Sequence, residues 1–157
     1  MTGVTSLVVR IPGRPRTQGS ATLHNSRMFK TQQEKAHRHL AVWVMRRDWA
    51  GVRLEGPVRV DIRAEFERYK SHYRTGRFAA ELKPSAPHTP HTYKPDADKI
   101  ARLLLDALTE SGVIKDDSQV CELRVEKRWI PRGHESGTTV TLTAVDILTV
   151  KDNHHDE

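Results

Sequence analysis

Ten residues in the middle of the chain restrict its fold more than any others. Pro57 to Phe66 sets Val58, Val60, Ile62, Ala64 and Phe66 at every second position, with Arg59, Asp61, Arg63 and Glu65 between them. Period two predicts a strand with one face buried and the other in water. Such a strand needs neighbours to satisfy its backbone and apolar helices or strands to cover its dry face.

The rest of the chain supplies both. Ser6 to Ile11 is rich in β-branched residues and stops at Pro12-Gly13, which predicts a first strand. Residues 12 to 30 form a basic loop carrying Arg14, Arg16, Arg27 and Lys30. Thr31-Gln32-Gln33-Glu34 fits a capping box, opening a helix to about Trp49 with Ala36, Leu40, Trp43 and Val44 at helical spacing. A second helix is expected over Asp98 to Ser111, largely buried, with Gly112 as its C-terminal cap. Val120 to Trp129 and Thr138 to Leu148 read as closing strands. This order predicts an α/β chain of the α+β kind, a single mixed β-sheet with two helices packed on it. Residues 1–150 are expected to form one domain, with 67–93 as a long basic, Pro-rich insertion and 151–157 as a polar tail.

Composition narrows the function. The chain has 157 residues, of which 36% are hydrophobic and 29% charged. That is too apolar for a wholly disordered chain and too charged for a membrane protein. Met1 to Ile11 lacks the pattern of a secretory signal. The lone Cys121 can form neither an internal disulfide nor a cysteine-based zinc site, which fits the cytoplasm. Lys and Arg outnumber Asp and Glu by 26 to 20, a formal charge of +6 that favours a polyanionic partner. In residues 67–95, Lys70, Arg74 and Arg77 alternate with Tyr69, Tyr73 and Phe78. Such a stretch reads either as a solvated loop or as one that embraces nucleic-acid strands. The nine histidines show no convincing zinc spacing: His37 and His39, His88 and His91, and His154 and His155 are expected mostly in solvent or facing DNA.

Lys94-Pro95-Asp96-Ala97-Asp98-Lys99 is the most informative stretch. In an extended backbone Asp96 and Asp98 point the same way, and paired carboxylates suit a hard divalent cation. They equally suit a helix cap at Asp98 and a turn residue at Asp96. A second pair, Asp116-Asp117, follows the helix. The chain must double back for Asp117 to meet Asp98, and a solvated turn reads as well there.

Asp96-x-Asp98, the helix with Asp106-Ala107-Leu108, and Asp116-Asp117-Ser118-Gln119-Val120 before a strand resemble the RusA family of Holliday junction resolvases. The likeness covers mainly residues 94–129, and more weakly Leu7 to Pro15; the 67–93 loop looks like an extension of phage-borne relatives. The resemblance implies a homodimeric, Mg²⁺-dependent endonuclease cutting four-way junction DNA, with Mn²⁺ as a possible substitute, no membrane and no small-molecule cofactor. It maps the metal-binding acidic triad onto Asp96, Asp98 and Asp117. The family's helix lysine falls on Arg102, and where family members commonly have Asn this chain has Lys99. Arginine keeps the charge but cannot donate a proton near neutral pH, so Lys99 and Arg102 share the catalytic cation role. Arg14, Arg16, Lys70, Arg74, Arg77 and Lys94 are the expected DNA contacts. Asp106 is read as structural, with Arg102 to Asp106 as a possible i, i+4 surface pair. The same residues also fit a non-catalytic junction-binding module or a nuclease acting on flaps and forks.

Overall fold

A computed structural model describes residues 6–17, 22–24, 27–29 and 32–145. Thr31 of the expected capping box, Lys30, residues 146–148 of the last predicted strand, and the tail with His154 and His155 lie outside these residues. Strands β1 (Ser6–Pro12), β4 (Val58–Glu67), β5 (Val120–Ile130) and β6 (Gly137–Ala144) form one sheet in the order β1-β6-β4-β5. β6 runs antiparallel to both β1 and β4, whereas β5 runs parallel to β4, so the sheet is mixed. Helices α1 (Gln32–Asp48) and α2 (Ala97–Glu110) complete an α+β fold. The basic loop of residues 12–30 is not wholly irregular: β2 (Thr22–His24) and β3 (Arg27–Phe29) pair in a separate two-stranded sheet. Thr22-Leu23 and Met28-Phe29 are the kind of strand-favouring residues that signal it.

β4 is central because its alternation is the cleanest. Val58, Val60, Ile62, Ala64 and Phe66 are buried against Leu7, Val9 and Ile11 of β1, Val140 and Leu142 of β6, and the helices. α2 contributes Ile100, Leu103, Leu104 and Leu108. α1 turns inward only part of the expected set: Val44 is buried and Leu40 packs against the core, together with Ala41, Val42 and Met45, while Ala36 and Trp43 are exposed. Trp43 lies under the Arg47 guanidinium, 4.9 Å from ring centre to carbon, which lets a large ring stay at the surface.

The other face of the sheet is a charged ladder. Register sets Arg59 beside Glu122, Asp61 beside Arg124, Arg63 beside Glu126 and Glu65 beside Arg128. Glu65 accepts from both Arg128 and Arg10 at 2.8 Å. Burial alone would raise its pKa, but the two arginines bring it below the ordinary carboxylate value.

α2 ends at Gly112, whose φ of +81° suits glycine. The chain then turns through a 3₁₀ segment, Asp117–Gln119, into β5. β5 runs back alongside α2, so it starts near the C-terminal end of the helix and finishes near its beginning. Among the described residues no helix is long and apolar enough to cross a membrane.

Candidate active site

Asp96 is the N-cap residue of α2, with extended backbone (φ −72°, ψ 143°). An aspartate there ordinarily accepts an amide of the first turn. Asp96 makes no such bond, so its carboxylate is not used by the helix. Lys99 Nζ lies 3.4 Å from its Oδ2. Asp98 sits in the first turn and is exposed. The cap position therefore belongs to Asp96 rather than Asp98, and both carboxylates stand at the positive end of the helix dipole.

The end of β5 forms the opposing wall. Lys127 Nζ donates to the carbonyls of Tyr93 (2.7 Å) and Pro95 (2.8 Å), fastening the segment before Asp96 to the strand. Burial lowers the Lys127 pKa, and the charge of Asp96 opposes that shift. Behind Lys127 stands a column of rings. His91 stacks on Phe66 at 4.0 Å and leans on Trp129 at 4.3 Å, and Trp129 meets His72, Tyr69 and Tyr93 edge-on. His91 is only 3% exposed and neither ring nitrogen has a hydrogen-bond partner. Burial, reinforced by Lys127 and Arg14, lowers its pKa to about 4, so it is neutral at pH 7. His37 is also buried, so these two histidines are exceptions to the solvated or DNA-facing positions expected of most.

This column ties down the 67–93 segment. Buried Arg68 donates to the Pro87 carbonyl at 2.7 Å, and its own N–H reaches Ile130. The Tyr73 hydroxyl accepts the Arg132 amide at 2.9 Å. Arg14 donates to the Tyr69 hydroxyl at 2.6 Å and lies over that ring and Phe66. The rings of Tyr69 and Tyr93 remain about half exposed. Arg16, Lys70, Arg77 and Lys94 are exposed cations. Arg74 shares its charge with Glu81 at 2.7 Å and covers Phe78, a ring that Arg77 also meets.

The model of the family endodeoxyribonuclease RusA matches residues 12–143. The chain belongs to that family. No curated protein matches it. RusA-family membership makes this a structure-specific endodeoxyribonuclease for Holliday junctions, with a role in DNA recombination.

In this RusA chain the second acidic pair lies elsewhere. Asp116 caps the 3₁₀ turn, accepting the Ser118 amide at 2.9 Å, which lowers its pKa. Gln119 closes the capping box through its Oε1 and sends Nε2 to the carbonyls of Leu54 and Gly56, both at 2.9 Å. Asp117 is exposed and lines a shallow depression with Arg38, Asp106, Thr109, Glu110 and Asp116. Asp106 pairs with Arg38 at 3.7 Å. Arg102 is exposed and forms no ion pair among the described residues, so the alternative reading of it as a surface partner of Asp106 is not met.

Thr109 and Glu110 stand about 17–18 Å along the helix from Asp98. Asp96 and Asp98 thus share one end of α2 and Asp117 occupies the other. Among the described residues, no three His, Cys, Asp or Glu side chains come together to hold a metal. The chain does double back, but it delivers Lys127 to Asp96, not Asp117. Lys127 had a signal in the sequence: Cys121, Leu123, Val125 and Trp129 share its phase, and a lysine interrupts that otherwise apolar series.

Proposed function

We propose that this RusA-family chain resolves four-way junctions in the cytoplasm by paired symmetric nicks, acting as a Mg²⁺-dependent homodimer with Asp96, Asp98 and, brought to them across the dimer, Asp117 as the metal-binding acids. The uncommitted Asp96 carboxylate, standing at an N-cap it does not cap and next to exposed Asp98, carries the reading. The donors fit the ion. They are hard oxygens, and Mg²⁺ takes one or two carboxylates together with waters and phosphate. Mn²⁺ accepts the same set.

Mg²⁺ held there would polarise the scissile phosphate and make a bound water more acidic. The protein's own groups do the remainder. Lys99 and Arg102 lie one turn apart on α2 and offset the negative charge that builds up during in-line attack. Arg102 grips phosphate without giving up a proton. Lys127 holds the Tyr93–Pro95 segment, and so the direction of Asp96. Arg16, Lys70, Arg77 and Lys94 draw in the backbone, so affinity falls steeply with salt. The exposed rings of Tyr69 and Tyr93 suit bases unstacked at a branch point.

The deciding experiment is Asp98→Asn on synthetic junction, flap and duplex DNA with Mg²⁺. Junction cutting should fall at least about 100-fold with junction binding retained; undiminished cutting removes the proposed site. Faster cutting of flaps than of junctions by the wild type would reassign the substrate. The scattered acids within one protomer favour a second reading, a junction-binding module without catalysis. That reading requires tight junction binding and no nicks with either Mg²⁺ or Mn²⁺.

A further inference from the structure

We propose that Arg68, His72 and Lys83 form a seat for one backbone phosphate of the DNA, inside the 67–93 segment and apart from the acids that hold the metal. The seat stands on these three side chains; that its phosphate belongs to junction DNA rests on the nuclease reading above.

The segment folds on itself as a small hairpin. Tyr73 and Leu82 form an antiparallel bridge, the Lys83 amide donates to the His72 carbonyl at 2.9 Å, and the Arg74 amide to that of Glu81 at 2.8 Å. The bridge sets His72 opposite Lys83 and Arg74 opposite Glu81, and residues directly opposite share a face. Arg68 stands at the base of the hairpin. It is 7% exposed, and its guanidinium donates to one acceptor among the described residues, the Pro87 carbonyl at 2.7 Å. Its other N–H groups have no protein partner there.

The three residues converge in charge as well as in sequence. Burial lowers the His72 pKa, and the positive charges of Arg68 and then Lys83 lower it further. No acid balances them. Glu65 is engaged with Arg10 and Arg128, Glu67 accepts the Gly133 amide at 3.0 Å, and Glu81 is paired with Arg74 at 2.7 Å. Neither Arg68 nor Lys83 forms an ion pair among the described residues. Nδ1 of His72 is buried and has no hydrogen-bond partner in the protein. A nearly buried guanidinium without a counter-charge is costly. Donors of this kind beside a half-buried lysine match an anion with several acceptor oxygens, and a phosphate has them.

The surroundings favour a phosphodiester over a free anion. The His72 ring packs edge-on against Trp129 at 4.9 Å and Tyr69 at 5.2 Å, and Tyr93 meets the same Trp129 at 6.0 Å. Tyr69 and Tyr93 are about half exposed and present faces on which bases can stack. A free phosphate has no use for such faces. Tyr93 also leads into Asp96, its carbonyl held by Lys127. A strand leaving the cut can therefore lay its bases on these rings and set a phosphate between Arg68, His72 and Lys83.

The test couples one phosphate to one side chain. A neutral methylphosphonate is placed at each position in turn along a synthetic four-way junction, and binding is measured without divalent cation, so that cutting plays no part. One position should weaken wild-type binding by about tenfold. Lys83→Met should bind the unmodified junction about tenfold more weakly and lose no more at that position, because charge and partner are removed together. Lys83→Arg should restore the penalty there, and Lys70→Met, which removes an exposed cation nearby, should leave it in place. Lys83 is chosen over Arg68, whose bond to Pro87 also holds the segment. Penalties equal in wild type and Lys83→Met at every position, or unmodified junction bound equally by both, overturn the seat. The nuclease reading is then judged separately, by whether the wild type cuts with Mg²⁺. A coupled position in a chain that never cuts upholds the seat and overturns the nuclease reading instead.

Discussion

The two ends of α2 each carry an acidic pair, and the pairs are built differently. At the start of the helix, Asp96 and Asp98 stand against Lys99 and near Lys127, and the Asp96 carboxylate is not taken up in capping the helix. Beyond its other end, Asp116 is occupied in closing a 3₁₀ turn, with exposed Asp117 beside it. The cation there, Arg38, is already engaged with Asp106 and Glu110. Two adjacent acids in a sequence therefore do not make a site. What matters is which carboxylates the backbone leaves unused.

The widest contrast should come from the second pair itself. Asp117→Asn should lower junction cutting at least about 100-fold. Asp116→Asn should stay within about twofold of the wild type, because asparagine caps as well as aspartate. Single-turnover cutting assays decide it, and equal losses at both positions would break the contrast.

At the other end, Lys127→Met removes both bonds to the Tyr93 and Pro95 carbonyls. Cutting should fall roughly tenfold to 100-fold through misplacement of Asp96, with duplex affinity nearly unchanged. A parallel loss of affinity would instead mark Lys127 as a DNA contact.

His91 gives that end of the helix a pH signature. Its folded pKa of about 4 lies below the ordinary histidine value of 6.5. Between those values the unfolded chain binds a proton that the folded chain refuses. Stability is then complete above pH 6.5 and declines as pH falls toward 4, by on the order of 1–3 kcal/mol. Urea midpoints at pH 7 and 4.5 measure this, and His91→Phe should flatten the difference.

The smallest effect is expected from Gln119→Ala. It strips the 3₁₀ turn of its bonds to Leu54 and Gly56 and should cost about 1–2 kcal/mol in urea unfolding. Unlike Lys127→Met, it should spare the Asp96 end.

Local pattern made most of the fold legible. The alternation of Val58 to Phe66 and the apolar circumference of Ile100 to Leu108 survive as β4 and α2, because both are set by periodicity. On α1 the spacing finds Val44 and Leu40 but not Trp43, which stays outside under Arg47. The Asp96–Asp98 pair was visible as two carboxylates at a helix start. Its surroundings were not: Lys127, His91 and Trp129 reach it through strand pairing and ring stacking, contacts between distant residues that no local window contains. The position of Asp117 depends on the direction in which β5 leaves its turn, which spacing alone does not encode.

On the sheet's open face, β4 and β5 set each arginine beside an acid, and those eight charges cancel. The chain's surplus of +6 is therefore carried by the rest of the surface. Alternating neighbours extinguish each other's potential within a few ångströms, whereas unbalanced cations are felt to roughly the 8 Å Debye length of physiological salt. An approaching duplex would thus feel almost no pull from the sheet, and the molecule would be rotated to present its loops before first touch.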